Sequence, residues 1–289
     1  LVHLTANRQW VTYHAGQEWN IDTNQYDIPA NSDLPNNRIT DLISDGVGGF
    51  WIGTYGGLAR LSNNDQWTVY HAAYTHWDDN LQQLVVDIPA NSELPSNMVD
   101  DLLADGSGGL WIGTGIGLAH LTANGFWTIY NKDNSMLPNN SALSLFSDRV
   151  GGVWIQSYEA LTRLKANGEW IIYTTDNSEL PGNHVSTLLG DGIGGFWIGT
   201  WWEKSSRLAR LKADGQWIIF NEGANSVPYN DISALLDDGN GGLWVGTWGR
   251  GLAHRTANNK WTIYNSDNSG LSYDAITELL GDSNGGLWV

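Results

Sequence analysis

Residues 94–130 read LPSNMVDDLLADGSGGLWIGTGIGLAHLTANGFWTIY, and this stretch decides the fold. Val99 to Ala104 is apolar-rich and stops at Asp105-Gly106-Ser107-Gly108-Gly109, a turn whose glycines accept positive φ. Leu110 to Thr114 has the β-branched and aromatic content of a strand. Gly117 to Thr122 follows a glycine-rich bend, and Phe126 to Tyr130 closes after Ala123-Asn124-Gly125. No helical period runs through the stretch. Four short strands per unit, repeated radially, make a β-propeller blade.

The unit does recur. A Gly-Gly-x-Trp signature stands at Trp51, Trp111, Trp154, Trp197, Trp244 and Trp288, with spacings of 60, 43, 43, 47 and 44. A second tryptophan, in Trp-x-x-Tyr/Phe, stands at Trp10, Trp67, Trp127, Trp170, Trp217 and Trp261. Leu1 to Leu4 matches a third strand and Leu287 to Val289 a second strand. The expectation is therefore an all-β, six-bladed β-propeller with four antiparallel strands per blade, one domain over 1–289. Its last blade would be closed by 1–14 together with 274–289, leaving no edge strand open.

Composition narrows function. Lys and Arg number 14 against 31 Asp and Glu, a formal charge of −17 that repels phosphate backbones and anionic lipid heads, so nucleic acid is not an expected partner. No apolar run reaches the ~20 residues of a membrane helix, and no membrane insertion is expected. There is no cysteine, which removes disulfide scaffolds and Cys-based zinc modules. The chain opens at Leu1 without Met or a signal peptide and reads as a processed piece.

Blades of the form Leu-Pro-x-Asn…Asp-Gly-x-Gly-Gly-(Leu/Phe)-Trp-Ile-Gly-Thr…Gly-Leu-Ala-(Arg/His)-Leu…Trp-Thr-x-Tyr, as in Leu94 to Tyr130, resemble the two-component regulator propeller repeat. That resemblance implies a β-propeller of the kind found in sensor regions of hybrid histidine kinases and related bacterial proteins. The chain is expected to act outside the cytoplasm, periplasmic or secreted, and to be monomeric as a domain.

Most repeated residues read as structural. Twelve of the 17 tryptophans occupy the two series and should pack between blades with partners for their indole N–H groups. Asp45, Asp105, Asp148, Asp191, Asp238 and Asp282 stand where they can accept turn N–H groups, with calcium as a minor alternative. His3, Arg60, His120, Arg163, Arg210 and His254 put a base at one third-strand position in all six units, a pattern expected of pairing with a carboxylate or an aromatic. Ser107 sits where sister blades carry Val47, Ile193 and Asn240, so it is a turn residue and no nucleophile. No Walker loop and no His-Glu-x-x-His occurs, and no catalytic residue, metal ligand or cofactor is assigned.

Function is sought where the repeat breaks. Tyr13 to Leu34 and Tyr70 to Leu94 span 21 and 24 residues where Tyr130 to Leu137 spans seven, and the loops Thr200 to Leu208 and Thr247 to Leu252 are also lengthened. These segments contain the remaining five tryptophans, Trp19, Trp77, Trp201, Trp202 and Trp248. Antiparallel alternation places all five, with Tyr55 and Tyr158 of the equivalent short loops, on one face of the disc; the alternative is that the long insertions fold back and bury their own rings. With Asp78, Glu203 and Arg250 they form the candidate ligand site, suited to a carbohydrate, peptide or protein. The leading expectation is a non-enzymatic binding propeller. A metal-dependent enzyme resembling streptogramin lyases is one alternative, although those show Trp-Phe-Thr-Glu where this chain has Trp-Ile-Gly-Thr; an interaction scaffold is the other.

Overall fold

The structure, a computed structural model, describes residues 1–4, 8–20, 25–28, 30–78, 81–201, 207–220, 231–282 and 286–289. The chain forms two compact units, Leu1–Ser147 and Asp148–Val289. Every regular element among the described residues is a β-strand.

In the first unit two four-stranded antiparallel sheets are hydrogen-bonded in chain order. The Trp51 sheet comprises Ile39–Ser44, Phe50–Thr54, Gly57–Leu61 and Trp67–Tyr70. The Trp111 sheet comprises Val99–Ala104, Leu110–Thr114, Gly117–Leu121 and Trp127–Tyr130, the four strands expected from the sequence. In the second unit the Trp197 sheet comprises Val185–Gly190, Phe196–Thr200, Leu208–Leu211 and Trp217–Phe220. The Trp244 sheet comprises Ile232–Asp237, Leu243–Thr247, Leu252–Arg255 and Trp261–Tyr264. The strands Val153–Gln156, Leu161–Leu164 and Trp170–Tyr173 repeat the same pairing around Trp154.

Second and third strands are the most buried, and within each unit the next sheet packs closely against them; hence the continuous apolar runs in place of strict alternation. A glycine in the second strand permits that approach: a Cβ on Gly199 would stand 2.5 Å from Cγ2 of Ile232 in the following sheet. The tryptophans complete the packing. Trp111 lies against Tyr130 within its sheet, and Tyr70 meets Trp127 of the next sheet edge to face at 5.8 Å. Trp154 with Tyr173 and Tyr173 with Trp217 repeat this in the second unit. Each buried indole removes roughly 200 Å² from water, about 5 kcal/mol at ~25 cal/mol/Å². One expectation fails locally: Trp154 Nε1 is buried with no hydrogen-bond partner, because Arg163 and Phe196 pack against its ring instead.

First strands carry a β-bulge that leaves Thr40, Asp100, Ser186 and Ser233 out of the ladder. The bulge re-aims the side chain toward the next sheet. Ser186 Oγ donates to the Ile232 carbonyl at 2.5 Å, and Ser233 Oγ to that of Ile276 at 2.5 Å.

The chain ends form two separate two-stranded sheets, Val2–Leu4 with Trp10–Thr12 and Leu280–Gly281 with Leu287–Trp288. The single four-stranded closing sheet expected from 1–14 and 274–289 is not formed among the described residues. Each hairpin is held by its own local turn, whereas joining them is the longest-range pairing in the chain and has no turn to fix its register. Trp10 and Trp288 are 71% and 68% exposed, while the other ten repeated tryptophans are buried or half-buried.

Candidate functional site

Each sheet has two ends of different chemistry. At one end lie the Asp-Gly turns. Register sets the base of the third strand opposite the tryptophan of the second, as Trp51 with Arg60, Trp111 with His120 and Trp197 with Arg210, so both side chains share a face. The base then lies over the indole and reaches the turn aspartate. Arg60 donates to Asp45 Oδ2 through Nε at 3.1 Å and Nη2 at 2.8 Å, and the N–H groups of Val47 and Gly49 donate to Oδ1. His120 and His254 make the same contact to Asp105 and Asp238, both at 2.9 Å, and Arg163 and Arg210 serve Asp148 and Asp191. Burial opposes ionisation of these carboxyls, but the base and the backbone N–H groups outweigh it, holding all five below the usual carboxylate range. Five of the six bases are thus structural, as the repetition implied. His3 instead meets Phe50 edge to face at 6.4 Å.

At the other end lie the connections from second to third strand. The hydroxyls of Thr54, Thr114 and Thr247 are buried and donate to the carbonyls of Gly57, Gly117 and Gly251, fixing the neck of each connection. Beyond the neck the side chains project. In the second unit three successive connections carry an exposed aromatic: Tyr158 at 62%, Trp201 at 38% and Trp248 at 57%. The backbones of the two tryptophans are held. Trp201 N–H donates to the His184 carbonyl, Trp248 N–H to that of Asp231, and Trp248 bridges Ala275. Arg250 is exposed beside Trp248, its N–H donated to Thr247 Oγ1. Trp202 and Glu203 lie outside the described residues.

In the first unit Tyr55 is half-buried, with the Arg38 guanidinium stacked 4.1 Å from its ring centre. Both long insertions are β-hairpins. Gln17–Asn20 pairs with Gln25–Ile28, placing Trp19 opposite Tyr26, and Tyr74–Asp78 pairs with Gln83–Ile88, placing Trp77 opposite Leu84. The side chains of Trp19 and Trp77 lie outside the description. The second hairpin is anchored through Tyr74 Oη, which donates to the Gly56 carbonyl at 2.5 Å, and it leaves Leu84, Val86 and Ile88 exposed. Asp78 accepts the Leu81 N–H and so shapes its own hairpin turn.

Trp201 and Trp248 are exposed rings on pinned backbones, an arrangement that can stack on a ligand at little cost in ordering. Sequence reasoning passed over Arg38, which covers Tyr55, and Arg255, which occupies the third-strand position filled by leucine in Leu61, Leu121, Leu164 and Leu211. The signal for Arg255 was that single departure.

Residues 33–56, 93–115 and 226–249 match the two component regulator propeller family. No curated protein matches the chain significantly. Among solved structures, the extracellular domain of a hybrid two component system of B. thetaiotaomicron is similar at 22% identity and a TM-score of 0.52, over 87% of this chain and 36% of that one. Virginiamycin B lyase of Staphylococcus aureus is similar at 14% identity and 0.59, over 97% and 87%. PorZ, a surface component of the type-IX secretion system of Porphyromonas gingivalis, is similar at 12% and 0.57, over 90% and 40%. These likenesses show a β-propeller fold; the chain spans about a third of the length of the two component extracellular domain.

Proposed function

We propose that this chain, which carries two component regulator propeller repeats, is a non-catalytic β-propeller that captures a carbohydrate or peptide ligand through the exposed aromatics of its lengthened connections, outside the cytoplasm. One observation carries the reading: Tyr158, Trp201 and Trp248 are exposed in the same connection of three successive repeats, and the backbones of Trp201 and Trp248 are fixed by hydrogen bonds. Exposed rings of this size are costly in water and are enriched where partners dock. The lyase alternative would need a carboxylate where the repeats carry Thr54, Thr114 and Thr247, and those hydroxyls are committed to carbonyls in the core.

The same reading takes the fold as a ring of six blades. Trp10 with Val2, and Trp288 with Leu280, are the apolar groups that the two terminal hairpins leave exposed, and a third–fourth strand pair is what a first–second strand pair lacks. Closure would bring His3 to Asp282 as a sixth copy of the turn pair.

The test is a glycan and peptide array probed with the wild type and with a Trp201→Ala, Trp248→Ala double variant. The expected result is loss of binding with melting unchanged to within about 2 °C. A wild type that retains no glycan or peptide, or a double variant that binds as well, would overturn the reading.

A further inference from the structure

At the turn end of the second unit, the end opposite Trp201 and Trp248 in the same two sheets, the repeat contains a cation it does not otherwise have. Arg255 ends a third strand where the sister strands end in buried leucines, and it is itself only 9% exposed. Its Nη2 donates to Asn259 Oδ1, but Nε, on the same edge of the guanidinium, is buried and has no partner. The register partner of Arg255 is Leu243, where the preceding sheet has the bulkier Phe196. A cavity of about 50 Å³ remains there, lined by Arg255, Leu243, Trp197, Arg210, Asp191 and Asp237.

Charge in this cavity is not evenly matched. Arg210 is spoken for by Asp191, through Nε at 2.9 Å and Nη2 at 2.6 Å, and the other oxygen of Asp191 accepts the N–H groups of Ile193 and Gly195. Asp237 is exposed at the mouth and accepts the Gly239 N–H. Arg255 lies 5.1 Å from the centre of the Trp197 ring, as does Arg210, so two cations share one indole. Burial, with Arg210 nearby, disfavours the charge on Arg255. A buried guanidinium with an open N–H normally meets an anion, and a carboxylate fits its planar edge two oxygens at a time.

We infer that this cavity is a binding site for a small carboxylate anion, held by Nε and Nη2 of Arg255 against Trp197. It is distinct from the aromatic connections and does not depend on their role.

The test uses the whole chain and acetate as probe, with ionic strength held by a sulfonate too bulky for the cavity and tryptophan fluorescence as readout. Wild type should give a saturable change. Arg255→Leu, which restores the residue of four sister strands, should abolish it while melting no lower than wild type; Arg255→Lys, which keeps charge but loses the planar edge, should weaken it at least tenfold. Asp237→Asn, which removes a competing negative charge at the mouth, should tighten it. A linear, unsaturable wild-type response, or Arg255→Leu or Arg255→Lys saturating at the wild-type concentration, would overturn the assignment.

Discussion

Trp111 and His120 lie face to face, ring centroids 4.0 Å apart and planes 14° from parallel, while His120 Nε2 stands 2.9 Å from Asp105 Oδ2. The carboxylate also accepts the N–H groups of exposed Ser107 and buried Gly109, so removing it leaves the Gly109 N–H and the half-buried His120 without their acceptor together. Asp105→Ala should cost about 3 kcal/mol by urea denaturation. His120→Arg should change stability by less than about 1 kcal/mol, since Arg60, Arg163 and Arg210 fill the same place elsewhere. A tolerated Asp105→Ala would remove the pair from the structural account.

The pH dependence has two parts of opposite sign. The five turn aspartates are held below their usual range, so their stabilisation is present above about pH 4 and is lost as pH falls through their folded values. Asp101 is different. Burial raises it to about 7 against the N–H groups of Leu145 and Leu102, and the neighbouring Asp41 carboxyl adds to the rise. A raised carboxyl holds its proton better folded than unfolded, so this contribution is complete below about pH 4 and is lost as pH rises to about 7. Melting temperature should therefore decline from pH 4 to 7 in the wild type. Asp101→Asn should reduce that decline to the part carried by Asp100, which burial raises to about 6, and leave the acid limb unchanged.

The parts of this molecule legible in sequence are those whose residues meet near neighbours. Trp111, His120 and Asp105 fall within one repeat, so the spacing alone predicts their strands, and the repeated base predicts its partner. The Tyr70–Leu94 insertion reads as a linker because no strong turn pair marks its centre, yet Val85, Val86 and Ile88 carry the β-branched content of the strand they form. Arg255 was missed for another reason. Attention to loop lengths passes over a single substitution inside a strand, and only burial shows its guanidinium with an open donor. Pairing between the chain ends depends on long-range geometry that no local pattern specifies.

Sheet-to-sheet distance should be limited by the second-strand glycine. A methyl on Gly199 would press on Ile232 Cγ2 and on Thr187, so Gly199→Ala should lose about 2 kcal/mol in chemical denaturation. At the equivalent position the Trp154 strand carries Gln156, buried, with Nε2 donated to the Ser157 carbonyl at 2.8 Å. That strand already accommodates a side chain, so Gln156→Ala should cost less than Gly199→Ala. The reverse order would refute the steric argument.

The two classes of tryptophan should separate by thermal melting. Trp154 is fully buried and touches Tyr173, Phe196 and Arg163, so Trp154→Ala should cost about 3–5 kcal/mol. Trp248→Ala removes a ring that is 57% exposed and leaves its backbone contacts in place, for a change within about 0.5 kcal/mol. A large loss at Trp248 would return it to the packing of the fold.

Ring closure, proposed above, assigns His3 and Asp282 to each other. Asp282 holds the turn of its own hairpin as its sisters do, accepting the Gly286 N–H at 2.6 Å, and His3 occupies the strand position of His120 and His254. In a closed ring the two form a pair equivalent to Asp105 with His120, and mutating both should cost less than the sum of the single losses. A double-mutant cycle on His3→Ala and Asp282→Ala should yield a coupling of about 1–2 kcal/mol, matching a reference cycle on His120 and Asp105. If the reference pair couples and the terminal pair does not, the two hairpins do not share a sheet, and the proposed ring closure fails.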